Sequence, residues 1–138
     1  MIYKLRELLG VEELGGTMRL GAYPCQLAGN SFAREAYGTE LVNERHRHRF
    51  EFNREFEPIL TSHGLRLTGQ TPDGVYVEIC ELPEHPWYLG CQFHPEFKSK
   101  PLEPHPLFVS FLGAAVKYRE KKLVRQEQPL FAEVEAAV

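Results

Sequence analysis

Cys91-Gln92-Phe93-His94-Pro95-Glu96-Phe97 closes an apolar run that begins at Trp87. The run from Trp87 to Phe93 predicts a buried strand of about seven residues. It stops at His94, beside a proline that cannot continue a ladder. On an extended chain residues two apart point to the same side, which sets the His94 imidazole beside the Glu96 carboxylate. The pair falls just past the C-terminal end of a strand, where open α/β sheets place their ligands. A carboxylate that accepts from one ring nitrogen leaves the other to take a proton from a nucleophile. The stretch therefore reads as the base and orienter of a catalytic triad. A strand-end histidine that merely caps a turn is the bland alternative, and an isolated His-Pro-Glu does not separate the two.

Upstream, Gln70-Thr71-Pro72-Asp73-Gly74 separates Leu65–Gly69 from Val75–Leu82, a hairpin signal between two β-rich runs. Pro83-Glu84-His85-Pro86 turns the chain into the Trp87 run. Downstream, three prolines between Lys98 and Pro106 mark a surface loop. Leu107 to about Lys121 reads as a helix with Phe108, Phe111, Leu112, Ala115 and Val116 on one stripe. Residues 1–121 read as one domain portion and 122–138 as a weakly amphipathic C-terminal tail that is disordered in part or packs on a partner.

Toward the N-terminus, Ile2, Leu5, Leu8 and Leu9 have helical spacing, with Gly10 as a stop. An uncapped helix beginning at residue 1 leads us to expect that something precedes it. Leu14 to Gly21 is a glycine-punctuated loop entering a strand. Its spacing is not Gly-x-Gly-x-x-Gly and it lacks a Walker lysine, so a tight turn is favoured over a phosphate cradle. Asn30 or Ser31 caps a short helix ending near Gly38. Val42 to Phe52 alternates as a strand or extended loop with one wet face. Asn53 caps a helix over Arg54–Ser62 with Phe56, Ile59 and Leu60 inward; Pro58 marks a later true start, and Gly64 ends it.

The 138 residues suffice for one domain with one core. A hydrophobic share of 43% and a charged share of 25% are near the average of globular chains. A net charge of -3 gives no general reason to expect a nucleic-acid partner. Cys25, Cys80 and Cys91 lie in largely apolar runs and are odd in number, which fits reduced thiols in a cytoplasmic protein. No apolar run is long enough to cross a membrane, and the first ten residues lack the form of a signal peptide.

A His-Glu pair needs a nucleophile, and no Gly-x-Ser-x-Gly or Gly-x-Cys-x-Gly elbow occurs in the sequence. Cys91 stands an odd offset from His94 and so faces the other side of the strand. Cys25 follows a proline with no sharp glycine turn, and Cys80 lies within a strand. If His94 and Glu96 are catalytic, their cysteine is expected outside this chain. The basic stretch allows other readings. Glu44, His46 and His48 share a face, the beginning of a metal site, but no second cluster supplies further ligands. Arg45, Arg47 and Arg49 share the opposite face. Acidic neighbours weigh against nucleic acid there; a small ligand's carboxylate or phosphate suits a single guanidinium better, and a solvated charged strand is the bland reading.

Leu14-Gly15-Gly16-Thr17-Met18-Arg19-Leu20-Gly21, Glu44-Arg45-His46-Arg47-His48-Arg49-Phe50 and Cys91-Gln92-Phe93-His94-Pro95-Glu96-Phe97, in this order, closely resemble the C-terminal part of the class I glutamine amidotransferase domain of the CTP synthase family. The resemblance covers residues 1 to about 121. It implies a three-layer α/β fold, of which this chain is the C-terminal portion. It also implies glutamine hydrolysis by a Cys-His-Glu triad, with the ammonia used for ATP-dependent amination of UTP to CTP. By the resemblance His94 is the general base, Glu96 its orienter and Arg49 a glutamine-binding residue. No cofactor falls in this chain; the family uses ATP and Mg2+ in an N-terminal synthase domain, and its members are homo-oligomers. The cysteine elbow, the oxyanion-hole glycines and the synthase domain have no counterpart in these residues. The expectation is a fragment, inactive alone. The alternative is an inactive remnant that binds glutamine or a partner chain.

Overall fold

A computed structural model describes residues 2–4 and 18–127. Strands β1 (Ile2–Lys4), β2 (Arg19–Leu27), β3 (Leu41–His48), β4 (Phe50–Phe52), β5 (Arg66–Gln70), β6 (Val77–Glu81) and β7 (Leu89–Cys91) alternate with helices α1 (Phe32–Tyr37), α2 (Glu57–Ser62) and α3 (Pro106–Glu127). Short 3-10 turns occupy Arg54–Phe56 and Pro95–Phe97. One sheet runs β3-β2-β5-β6-β7 and a second pairs β1 with β4, and the pairings among these strands are antiparallel.

The long β2–β3 ladder keeps register from Arg19↔His48 to Gln26↔Leu41. Its inward residues alternate with exposed ones, the period-two pattern of a half-buried strand. Ser31 starts α1 as expected, its Oγ accepting from the Arg34 N–H at 3.0 Å. Gly38 ends the helix in the left-handed region at φ 68, where a side chain would be strained. A second cap comes from β6: the buried Glu81 carboxylate accepts the Phe32 and Ala33 N–H groups, each at 2.9 Å. That links the first turn of α1 to the sheet and gives both oxygens of a buried side chain a donor.

The β5–β6 hairpin forms where Pro72-Asp73-Gly74 predicts it. The Asp73 carboxylate accepts from Thr71 Oγ1 and from the Val75 N–H, and Gly74 takes φ 72. Cys25, Leu27, Ala33, Val42, Ile79, Phe93 and Leu107 form the buried apolar cluster, contributed by the sheet, helices α1 and α3 and the segment after β7.

Four expectations need correction. Ile2–Lys4 lie in β1, paired with Phe50–Phe52, instead of a helix; the remainder of that predicted helix, and Leu14–Thr17, are outside the described residues. Helix α2 starts at Glu57 with Pro58 in its first turn, as the proline predicts, but Arg54–Phe56 form a separate 3-10 turn capped by Asn53, and Phe56 and Ile59 are exposed. Strand β7 is three residues long and stands at the sheet edge. Its partner β6 stops at Glu81, and past Leu89 the pairing thins to a 3.3 Å bond from the Leu82 N–H to the Tyr88 carbonyl before Pro83 turns the chain away. Trp87 instead donates its indole N–H to Ser110 Oγ at 2.9 Å and stacks on Phe32. Finally, α3 continues past Lys121 to Glu127, and of its apolar residues Leu107 is buried while Phe108, Phe111, Leu112 and Val116 are exposed.

Candidate active site

Phe93, buried in the core, anchors the segment that follows β7. The next residue leaves the sheet: the His94 N–H donates to the Arg45 carbonyl of β3 at 2.9 Å. Pro95, whose ring presets a turn φ, opens a 3-10 turn in which the Phe97 N–H returns to the His94 carbonyl at 3.1 Å. His94 Nδ1 then lies 2.7 Å from Glu96 Oε1. The sequence reading placed these two side chains together for the wrong geometric reason. They meet across a tight turn, not along an extended strand.

The hydrogen bond from His94 holds the Glu96 carboxyl below its usual range. An ionised carboxylate only accepts, so Nδ1 is the donor, and in the neutral ring Nε2 keeps its lone pair. Nε2 makes no hydrogen bond to the described residues. His94 is half-buried, with its side chain 34% exposed, open enough to meet a partner. This is the chemistry of a general base whose tautomer is fixed by a neighbour.

Arg49 sits exposed in the bend between β3 and β4. Gln92 joins that bend to the His94 segment: its side-chain amide donates to the Phe50 carbonyl at 2.9 Å, while its backbone N–H donates to Glu78 O at 2.8 Å. Arg45 and Arg47 are exposed on the outer face of β3. The opposite face is not wet. Glu44 and His46 are buried, and His48 nearly so.

Beneath this strand the Arg19 guanidinium lies 3.2 Å from Glu51 Oε1 and 2.7 Å from Glu78 Oε1. The second contact is an ion pair without an aligned hydrogen bond. The guanidinium also lies over the Tyr23 and Tyr76 rings. His46 Nδ1 and His48 Nε2 are 2.8 Å apart, so each imidazole spends a nitrogen on the other. Burial and the nearby Arg19 charge push His46 down to about 3 and His48 down to about 4, keeping both neutral. Burial pushes Glu51 up to about 7, against the pull of Arg19. Among the described residues no group of three His, Cys, Asp or Glu side chains is arranged to hold a metal ion. Sequence reasoning missed this buried network because Arg19, Glu51 and Glu78 come from three different strands.

The cysteines are poor nucleophiles here. Burial pushes the Cys25 and Cys91 thiols up to about 12 and raises Cys80 as well. Cys91 packs against the apolar cluster, its Sγ within 3.5 Å of the Phe93 carbonyl. Also absent from the sequence reading were Lys98, which donates to Asn43 O at 2.6 Å, and Phe97, whose ring lies against the His94 imidazole. Proximity of Phe97 to His94 in the motif was the available signal.

The profile of the family described as glutamine amidotransferase class-I matches residues 4–114. A CTP synthase of Acidobacterium capsulatum is 68% identical over 115 residues, covering 83% of this chain and 21% of that protein. A CTP synthase of Koribacter versatilis is 60% identical over 136 residues, covering 95% of this chain and 24% of that protein. The chain thus spans between a fifth and a quarter of the length of these relatives. Among solved structures, the Trypanosoma brucei CTPS glutaminase domain with bound acivicin superposes with a TM-score of 0.71 at 37% identity, covering 77% of this chain and 42% of that one. The fold is therefore part of the class I amidotransferase α/β domain, and no described helix is long and apolar enough to cross a membrane. With the family profile matching most of its length, this chain belongs to the class I glutamine amidotransferases.

Proposed function

We propose that this chain supplies the general base and its orienting carboxylate to the glutaminase of a CTP synthase. The observation that carries the proposal is the 2.7 Å contact of His94 Nδ1 with Glu96 Oε1, which leaves Nε2 as an accessible base. In the proposed reaction a cysteine outside these residues gives its thiol proton to His94 Nε2. The thiolate attacks the side-chain amide carbonyl of glutamine. The amide nitrogen leaves as ammonia, taking the proton back from the imidazolium, and a thioester remains. Water, deprotonated by Nε2, then cleaves the thioester to glutamate and restores the thiol. Arg49 pairs with the substrate's α-carboxylate, a match for a planar guanidinium.

In this reading the ammonia goes to a synthase domain beyond these residues, where UTP is aminated with ATP and Mg2+. That assembly is a cytoplasmic homo-oligomer. The similarity to CTP synthases at 68% and 60% identity supports the synthase part of this reading. The test is ammonia release from glutamine by an intact CTP synthase carrying this segment. Loss of release in His94→Gln supports the role; wild-type release in that variant refutes it.

A further inference from the structure

Glu96 is not the only residue that grips the imidazole. In a 3-10 turn residues three apart eclipse one another, which puts Phe97 over His94. Their ring centroids are 4.7 Å apart and their planes differ by 15°. The edge of the imidazole is therefore bound by Glu96 and one face is covered by a phenyl ring. A single hydrogen bond leaves the ring able to tilt about the Nδ1···Oε1 line; a stacked neighbour removes that freedom. Phe97 has no place in the buried apolar cluster and remains 46% exposed. Among the described residues its ring contact is with the His94 imidazole.

We propose that Phe97 is a positioning residue for glutamine hydrolysis, clamping the His94 imidazole so that Nε2 keeps one direction. The proposal rests on the reading of His94 as the general base. The phenyl face also attracts the imidazolium that exists only after the proton has moved. Both effects act on the step that uses the base, so loss of the ring falls on kcat and spares the KM for glutamine.

Two measurements test this. In the nuclear magnetic resonance spectrum of the 138-residue chain, the carbon-bound imidazole protons of His94, identified by their loss in His94→Gln, lie upfield through the ring current of Phe97. Phe97→Leu moves them downfield, and Phe97→Tyr retains the upfield position. In an intact CTP synthase carrying this segment, Phe97→Leu lowers kcat with glutamine on the order of tenfold. KM for glutamine and the rate with added ammonia are unchanged, and Phe97→Tyr restores kcat. Unmoved His94 resonances in Phe97→Leu overturn the clamp. Wild-type kcat in Phe97→Leu, with His94→Ala inactive toward glutamine, overturns the positioning role and leaves His94 as the base. Glutamine turnover that survives His94→Ala removes the base itself, and the positioning role with it; the resonance shift then still reports the stack.

Discussion

Lys98 Nζ lies 3.0 Å from Glu44 Oε1, an ion pair that joins the segment bearing His94 to strand β3. The same carboxylate oxygen is 3.0 Å from the Tyr37 hydroxyl and 3.2 Å from His105 Nε2, so β3, α1 and the start of α3 meet at one atom. Burial alone would raise the Glu44 carboxyl, but the hydrogen bonds from His105 and Lys98 bring it below its usual range. Lys98→Met should lower folding stability by about 1 kcal/mol, because Glu44 keeps two of its three partners and the lysine is half in water. Urea unfolding of the two proteins checks this, and an unmoved midpoint contradicts it.

Gly69 is where the sheet closes most tightly. A β-carbon there would stand 2.7 Å from Ile79 Cγ1 and 2.9 Å from Cys25 Sγ, in the centre of the core. Gly69→Ala should cost about 1–3 kcal/mol by overpacking. The same urea titration decides it; an alanine variant as stable as wild type would show that β5 and β6 can part without penalty.

Local chemistry made much of this fold legible. The Ser31 cap, the Gly38 stop and the Pro72-Asp73-Gly74 turn each carry their mechanism in adjacent residues. The His94–Glu96 pair was also visible, although the contact is made by the Pro95–Phe97 turn and not by the extended strand that pointed to it. What the sequence hid depends on distant pairing. The length of β7 is set by where β6 ends, and the strand at Ile2–Lys4 by Phe50–Phe52. Glu81 reads as one more strand residue until α1 is placed against it. Alternation from Glu44 to Arg49 showed two faces, but only the positions of Arg19, Glu51 and Glu78 show that the histidine face is buried.

The buried network makes stability depend on pH. Glu51 holds its proton up to about 7 in the folded chain, against an ordinary glutamate value of 4.5. Its contribution is full below pH 4.5 and is lost as pH rises to about 7. Glu51→Gln removes that dependence, so the stability of wild type relative to the variant should fall by about 3 kcal/mol across this window. His46 and His48, lowered from 6.5, act with the opposite sign and weaken the fold as pH falls below 6.5. The difference between the two proteins isolates Glu51. A difference that is flat with pH would contradict the burial of its protonated form.

The 138-residue chain alone should release no ammonia from glutamine. His94 has no thiol to activate within it, and burial raises all three of its cysteines. A coupled ammonia assay on the purified chain measures this. Turnover lost on replacing Cys25, Cys80 or Cys91 by alanine would identify a nucleophile that these positions argue against.

The central claim is that His94 acts in glutamine hydrolysis and nowhere else. In an intact CTP synthase carrying this segment, CTP formation is measured with glutamine and with ammonium chloride, side by side, for His94→Ala, Glu96→Ala and Arg49→Ala. His94→Ala should abolish the glutamine rate and leave the ammonia rate near wild type, because added ammonia bypasses the base. Glu96→Ala should reduce the glutamine rate less, since an unoriented imidazole still samples the right tautomer. Arg49→Ala should chiefly raise the KM for glutamine. Equal loss of both rates in His94→Ala would contradict the account and make His94 a structural residue at the end of β7.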